Sequence, residues 1–197
     1  QISLFCIGTE LYNFTEKRHE FWKKMIAEVR KVYSGKITYA ENWDKVDRFE
    51  LWDELDFIGV DAYFPVSESK NPTKVELITG WKSHKKMLQQ LSSAYKKQVI
   101  FTEYGYRNID FTTKEPWQAS TKRRGDKVPE NLNEELQAKA LQVIYDEFWQ
   151  ENWFAGGFLW KWHHDHERAG GKQNDRFTPQ NKLAEKTVEV NYGKYVN

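Results

Sequence analysis

Five short apolar runs, separated by helically spaced or polar stretches, limit what this chain can fold into. The first, residues 2–7, is nearly continuous (Ile2, Leu4, Phe5, Cys6, Ile7) and stops at Gly8. It reads as a strand buried on both faces. Residues 36–40, 56–63, 98–102 and 154–160 read the same way, the last opened by Gly156-Gly157. Between the first two lie Phe21, Trp22, Met25, Ile26, Val29 and Val32, spaced like one face of a helix. A short helix is expected over 49–55. A long one follows over 77–95, carrying Leu77, Ile78, Trp81, His84, Met87, Leu88, Leu91 and Tyr95. Asn131 with Glu134 supplies an N-terminal cap for a helix over 136–148. A last helix is expected over 184–190. A polar stretch of roughly 25 residues after the fourth strand, with Pro116, Gly125 and Pro129, is longer than ordinary connections and marks a functional loop.

Strict alternation of strand and helix means parallel strands joined by crossovers. Two architectures qualify, an open doubly wound sheet and part of a (β/α)8 barrel. A nucleotide-binding doubly wound sheet wants a Gly-rich turn after its first strand, and none is present. At 197 residues, without a linker or low-complexity segment, the chain fits one domain. Balanced charge, 30 Lys and Arg against 29 Asp and Glu, argues against nucleic acid as a partner. No apolar run is long enough to span a membrane. The single cysteine excludes an intrachain disulfide and a Cys-rich zinc site. Cys6 itself is expected to be an inert core thiol. Aromatic residues make up 16% of the chain, which calls for an aromatic core or a stacking surface for a flat, uncharged ligand.

In both architectures ligands bind beyond the carboxyl ends of the strands. Those ends read Gly8-Thr9-Glu10, Glu41-Asn42-Trp43-Asp44, Asp61-Ala62-Tyr63-Phe64, Glu103-Tyr104-Gly105-Tyr106 and Trp160-Lys161-Trp162-His163-His164. Two carboxylates facing one cavity suit glycosidic bond cleavage, in which one protonates the leaving oxygen and the other attacks or activates water. Glu10 and Glu103 are the candidate pair. Tyr63 and Tyr106 are candidates to orient a nucleophilic carboxylate or to touch substrate. Trp43 and Trp160 are candidates to stack on a sugar ring, and Asn42 to bond a sugar hydroxyl. Glu41 is expected in a salt bridge, and Asp61 bound to a Lys or Arg. Trp22, Trp52, Trp81, Trp149 and Trp153 are expected to pack on helix faces. His163, His164, Asp165 and His166 read as a rim loop rather than a metal site, because neighbours on an extended segment point to opposite sides. Lys122, Arg123, Arg124 and Lys127 read as a solvated basic face.

The segments Ile7-Gly8-Thr9-Glu10, Asp56-Phe57-Ile58-Gly59-Val60-Asp61-Ala62-Tyr63-Phe64-Pro65, Phe101-Thr102-Glu103-Tyr104-Gly105-Tyr106 and Gly157-Phe158-Leu159-Trp160-Lys161-Trp162 resemble the last five strands of a clan A retaining glycoside hydrolase. Within the clan the chain is most similar to glycoside hydrolase family 113, which the closing segment Phe177-Thr178-Pro179-Gln180-Asn181-Lys182-Leu183-Ala184-Glu185 also resembles. Thr9 departs from the Asn that many clan members place before the acid/base. The resemblance implies a (β/α)8 barrel of which this chain supplies strands 4 to 8, with Glu10 as acid/base and Glu103 as nucleophile. It implies hydrolysis of β-1,4-mannan or a related polysaccharide or oligosaccharide, and no cofactor. Retention would set the two carboxyl groups about 5–5.5 Å apart. Five strands do not close a barrel, so another chain or segment is expected to complete it. The chain begins at Gln1 directly before a strand, so a processed product or a fragment of a longer chain is expected. The compartment stays open, with an extracellular or periplasmic setting compatible. A non-catalytic carbohydrate-binding protein, or an interaction module on the same partial barrel, is the alternative reading.

Overall fold

The computed structural model describes residues 2–121 and 126–195, so Lys122, Arg123 and Arg124 of the basic stretch lie outside the described residues. All five apolar runs form strands: β1 (Leu4–Thr9), β2 (Lys36–Asn42), β3 (Ile58–Asp61), β4 (Val99–Tyr104) and β5 (Phe154–Leu159). They pair in chain order into one sheet, every neighbour parallel. The helices are α1 (Tyr12–Lys17), α2 (His19–Val32), α3 (Lys74–Tyr95), α4 (Glu134–Phe148) and α5 (Leu183–Gly193). This is a consecutive portion of a (β/α)8 barrel, with β1 and β5 as its two edges.

Period-two alternation sorts the strand residues onto two faces. Ile37, Tyr39, Ile58, Val60, Val99 and Phe101 belong to the core beneath the helices. Thr38, Gly59 and Thr102 meet on the opposite face, where a methyl added at Gly59 would lie 2.7 Å from the Thr38 hydroxyl and 3.0 Å from Thr102 Cγ2. The aromatic excess goes largely into the core. Trp52 and Trp81 are almost fully enclosed, Trp22 is buried, and Trp149 and Trp153 pack partly buried against the same cluster. Trp81 on α3 contacts the rings of Phe64, Phe101 and Phe148, tying helix to sheet. Trp81→Ala leaves a cavity that its ring neighbours cannot collapse into. It is expected to destabilise the fold by about 3–5 kcal/mol, measurable by urea unfolding.

Several local expectations are corrected. Residues 49–55 do not form a helix; two 3₁₀ turns, Val46–Arg48 and Trp52–Glu54, occupy the connection. The Lys97 ammonium donates to the carbonyls of Trp52, Asp53 and Leu55, which satisfies backbone a helix would have paired internally. Asn133, not Asn131, caps α4, its Oδ1 accepting from the Leu136 amide at 2.9 Å. α3 begins earlier than its apolar stripe, because Thr73 and Glu76 make a reciprocal capping box. β1 is not buried on both faces: Phe5 and Cys6 are exposed, because β1 is an edge strand with a neighbour on one side only. Within this span Cys6 is therefore exposed, not the core thiol expected.

Among the described residues no helix is long and apolar enough to cross a membrane.

Candidate active site

The strand register brings the predicted residues to one rim. Thr9 lies opposite Ala40, Asn42 opposite Asp61, and Asp61 opposite Glu103. Irregular pairing between Val60 and Asp61 sets Glu103 into that row. Glu10 follows β1 directly. Its amide donates to the Ala40 carbonyl at 2.9 Å, and its backbone turns left-handed (φ 51°). A non-glycine residue in that region is strained, and such strain concentrates at functional sites. Partial burial, then the charge of Glu103, then that of Asp44 hold the Glu10 carboxyl above the ordinary carboxylate range.

Glu103 is half-buried near the end of β4. The Tyr63 hydroxyl donates to its Oε2 at 2.7 Å. Burial and the facing carboxylate push the Tyr63 phenol far above its ordinary value, so it remains a donor. Phe177 meets the Tyr63 ring edge-on at 5.9 Å and backs it.

Two further carboxyls stand beside the pair. Burial, Glu10 and Asp44 push Glu41 up to about 7, against a hydrogen bond from the Asn42 amide to its Oε1. Burial and the charges of Glu103, Glu10 and Glu41 push Asp61 up to about 7, although Thr102 Oγ1 donates to its Oδ1 at 2.7 Å. The expected salt bridge at Glu41 and the expected Lys or Arg at Asp61 are absent among the described residues. Glu41 Oε2 and Asp61 Oδ2 have no hydrogen-bond partner there. Neither carboxyl has an ion pair among the described residues, and the Lys45 charge opposes the shift at Glu41 only weakly, so burial and like charges favour the neutral forms. Carboxyls so closely coupled titrate as a group, and their environments spread the protons unevenly over them.

The aromatic candidates separate. Trp43 is half-buried, edge-on to Phe64 at 5.8 Å and stacked on Trp117 at 5.4 Å. Trp160 is 40% exposed, with the Lys161 ammonium 5.2 Å from its ring centre. It is drawn against β4 by a 2.8 Å hydrogen bond from its amide to the Tyr104 carbonyl. Gly105 permits that approach, since a side chain there would lie 2.2 Å from the Trp160 carbonyl oxygen. The Asn42 Oδ1 is buried and has no hydrogen-bond partner among the described residues. Tyr106 does not join the rim: it is 1% exposed and packed in the core, so it touches neither Glu103 nor a ligand at the rim. Its position after β4 turns the chain inward, which its place in the motif did not reveal.

Asp44, Trp117 and Phe177 act on or touch the candidates Glu10, Trp43 and Tyr63 and were not among the sequence candidates. Asp44 stands in a quoted strand end. Trp117 comes from a distant loop and carries no local signal, and Phe177 opens the family-like closing segment, in which nothing local places it against Tyr63. The His163–His166 stretch is a rim loop pinned by buried Gln180, which bonds the amide and the carbonyl of His163. No cluster of three or more potential metal ligands occurs among the described residues.

The family model of glycoside hydrolase family 113 matches residues 1–182. A family 113 β-1,4-mannanase solved as a complex superposes with a TM-score of 0.78 at 26% identity, covering 97% of this chain and 56% of the other. The β-mannanase AaManA from Alicyclobacillus acidocaldarius, in complex with ManMIm, gives 0.78 at 24% identity, covering 98% and 56%. A β-glucuronidase from Faecalibacterium prausnitzii shares the fold, with a TM-score of 0.64 at 15% identity over 98% of this chain and 32% of its own. No curated protein matches. The chain thus spans a little over half the length of the solved mannanases it resembles. Its five parallel strands, the matched span and the rim motifs agree: the chain belongs to glycoside hydrolase family 113.

Proposed function

We propose that this chain is the larger part of the catalytic barrel of a retaining glycosidase that cleaves β-1,4-mannan. The observation that carries the reading is the pairing at the rim: Glu103 held by the Tyr63 hydroxyl, and Glu10 electrostatically coupled to it with a raised proton affinity. Family membership and the mannanase neighbours support the substrate.

Glu10 enters the cycle protonated and gives its proton to the glycosidic oxygen as the C–O bond breaks. Glu103 attacks the anomeric carbon from the opposite face and forms a glycosyl ester. Glu10, now a carboxylate, takes a proton from water. That water attacks the same carbon and releases Glu103. The Tyr63 hydrogen bond fixes which Glu103 oxygen remains free to attack. Asn42 accepts from a sugar hydroxyl, and Trp43 with Trp117, and Trp160, offer ring faces to the pyranose. Three further strands, from another segment or chain, close the barrel between β5 and β1.

A mannosyl donor fluorinated at C2 and carrying an activated leaving group slows hydrolysis of the ester more than its formation. Incubated with the intact protein, it is expected to add one glycosyl mass to the peptide containing Glu103. A label on Glu10 or Glu41 instead would overturn the assignment.

A further inference from the structure

Glu10 holds a left-handed backbone conformation (φ 51°), which a non-glycine residue keeps only where its surroundings over-determine it. The surroundings here include two hydrogen bonds, one on each side of its Cα. The amide of Glu10 itself donates to the Ala40 carbonyl at 2.9 Å. The next amide, that of Leu11, donates to the Tyr39 hydroxyl at 2.6 Å. Those two amides belong to the two peptide planes that meet at the Glu10 Cα, and φ and ψ describe how those planes are turned. Consecutive residues of β2 therefore set the direction in which the Glu10 side chain leaves the backbone.

The two anchors differ in kind. Any residue at position 40 supplies a carbonyl, whereas the hydroxyl comes from a tyrosine side chain. That side chain is fixed in place. Tyr39 is fully enclosed, stacked on Phe49 at 4.8 Å and met edge-on by Trp22 at 5.4 Å. Its ring also lies against Gly8, where an added methyl would stand 2.8 Å from Tyr39 Cε2. Ring and hydroxyl thus touch the chain just before and just after Glu10. Burial raises the phenol well above its ordinary pKa, so the oxygen stays a neutral hydroxyl. Packing accounts for an aromatic ring at this position but not for the hydroxyl, since phenylalanine would fill the same stack.

We propose that Tyr39 is a positioning residue for acid/base catalysis: its hydroxyl, through the Leu11 amide, aims the Glu10 carboxyl at the glycosidic oxygen. The proposal rests on the glycosidase reading above, with Glu10 as the proton donor.

The test is Tyr39→Phe in the intact protein, which removes one oxygen and keeps the ring, with Glu10→Gln measured alongside. On a β-1,4-manno-oligosaccharide, whose leaving group needs a proton, kcat is expected to fall by about ten- to a hundredfold, the scale of a misplacement of about 1 Å. KM should change little, because the lost bond touches no substrate. The burst of phenolate from a dinitrophenyl β-mannoside needs no proton and is expected to stay within about twofold of wild type. If Glu10→Gln shows that selective loss, then equal loss on both substrates in Tyr39→Phe, a change in KM alone, or no loss overturns the positioning role and leaves the glycosidase reading standing. Glu10→Gln without the selective loss overturns both. A second measurement needs no variant: the wild-type Leu11 amide is expected to exchange its hydrogen slowly, although Leu11 is exposed. Exchange at the rate of an open loop overturns the bond to Tyr39 and the role built on it.

Discussion

Glu103→Gln in the intact protein is expected to lower kcat on β-1,4-manno-oligosaccharides by about four orders of magnitude or more, the scale seen when a covalent nucleophile is removed. Glutamine keeps the shape of the side chain and an oxygen for the Tyr63 hydroxyl, so folding and substrate binding are preserved. What it lacks is the negative charge that attacks the anomeric carbon. The loss therefore falls on kcat, with KM changed little. Unchanged turnover would show that another carboxyl of the rim, such as Asp61 or Glu41, does the attacking.

The second large effect belongs to Glu10. Glu10→Gln removes the proton donor and is expected to cost about 10²- to 10⁴-fold in kcat/KM on natural linkages. An aryl glycoside whose leaving group departs without a proton should form the glycosyl ester at close to the wild-type rate, which separates acid catalysis from general damage. The pH profile carries the same information. Glu10 works protonated in the free enzyme, and burial with the charges of Glu103 and Asp44 raises its proton affinity. Activity thus extends to higher pH than an ordinary carboxyl allows, and the alkaline limb reports loss of that proton. Asp44→Asn removes one charge that holds the proton and should move the limb to lower pH. A limb that stays in place, or moves up, would contradict the electrostatic account of the rim.

The architecture was legible because it depends on patterns that a linear sequence carries. Strands buried under helices read as apolar runs, and amphipathic spacing marks α2, α3 and α4. The Glu10, Glu103 and Tyr63 positions were legible because parallel strands deliver their carboxyl ends to one rim. What failed depended on neighbours distant in sequence. The apolar composition of β1 suggested two covered faces, but coverage depends on which strand lies beside it, so Phe5 and Cys6 came out exposed. Glu41 was assigned a salt bridge because it lacks the motif match of Glu10 and Glu103, and Asp61 a Lys or Arg of the barrel. Here desolvation and mutual repulsion outweigh the one nearby cation, Lys45, which acts on Glu41 without an ion pair among the described residues. Tyr106 shares a motif with Glu103, yet the chain turns into the core within a few residues. Trp117 and Phe177 reach Trp43 and Tyr63 across long loops, and no local periodicity announces such contacts.

The most direct test of a two-carboxylate, double-displacement site at this rim is the stereochemistry of the first product. The intact protein is mixed with a β-1,4-manno-oligosaccharide, and the anomeric protons are followed by NMR from the first minute. Two successive inversions, at Glu103 and then at water, predict the β-anomer first, with the α-anomer growing only as mutarotation proceeds. The α-anomer appearing first would mean a single inversion, and Glu103 would not be a nucleophile.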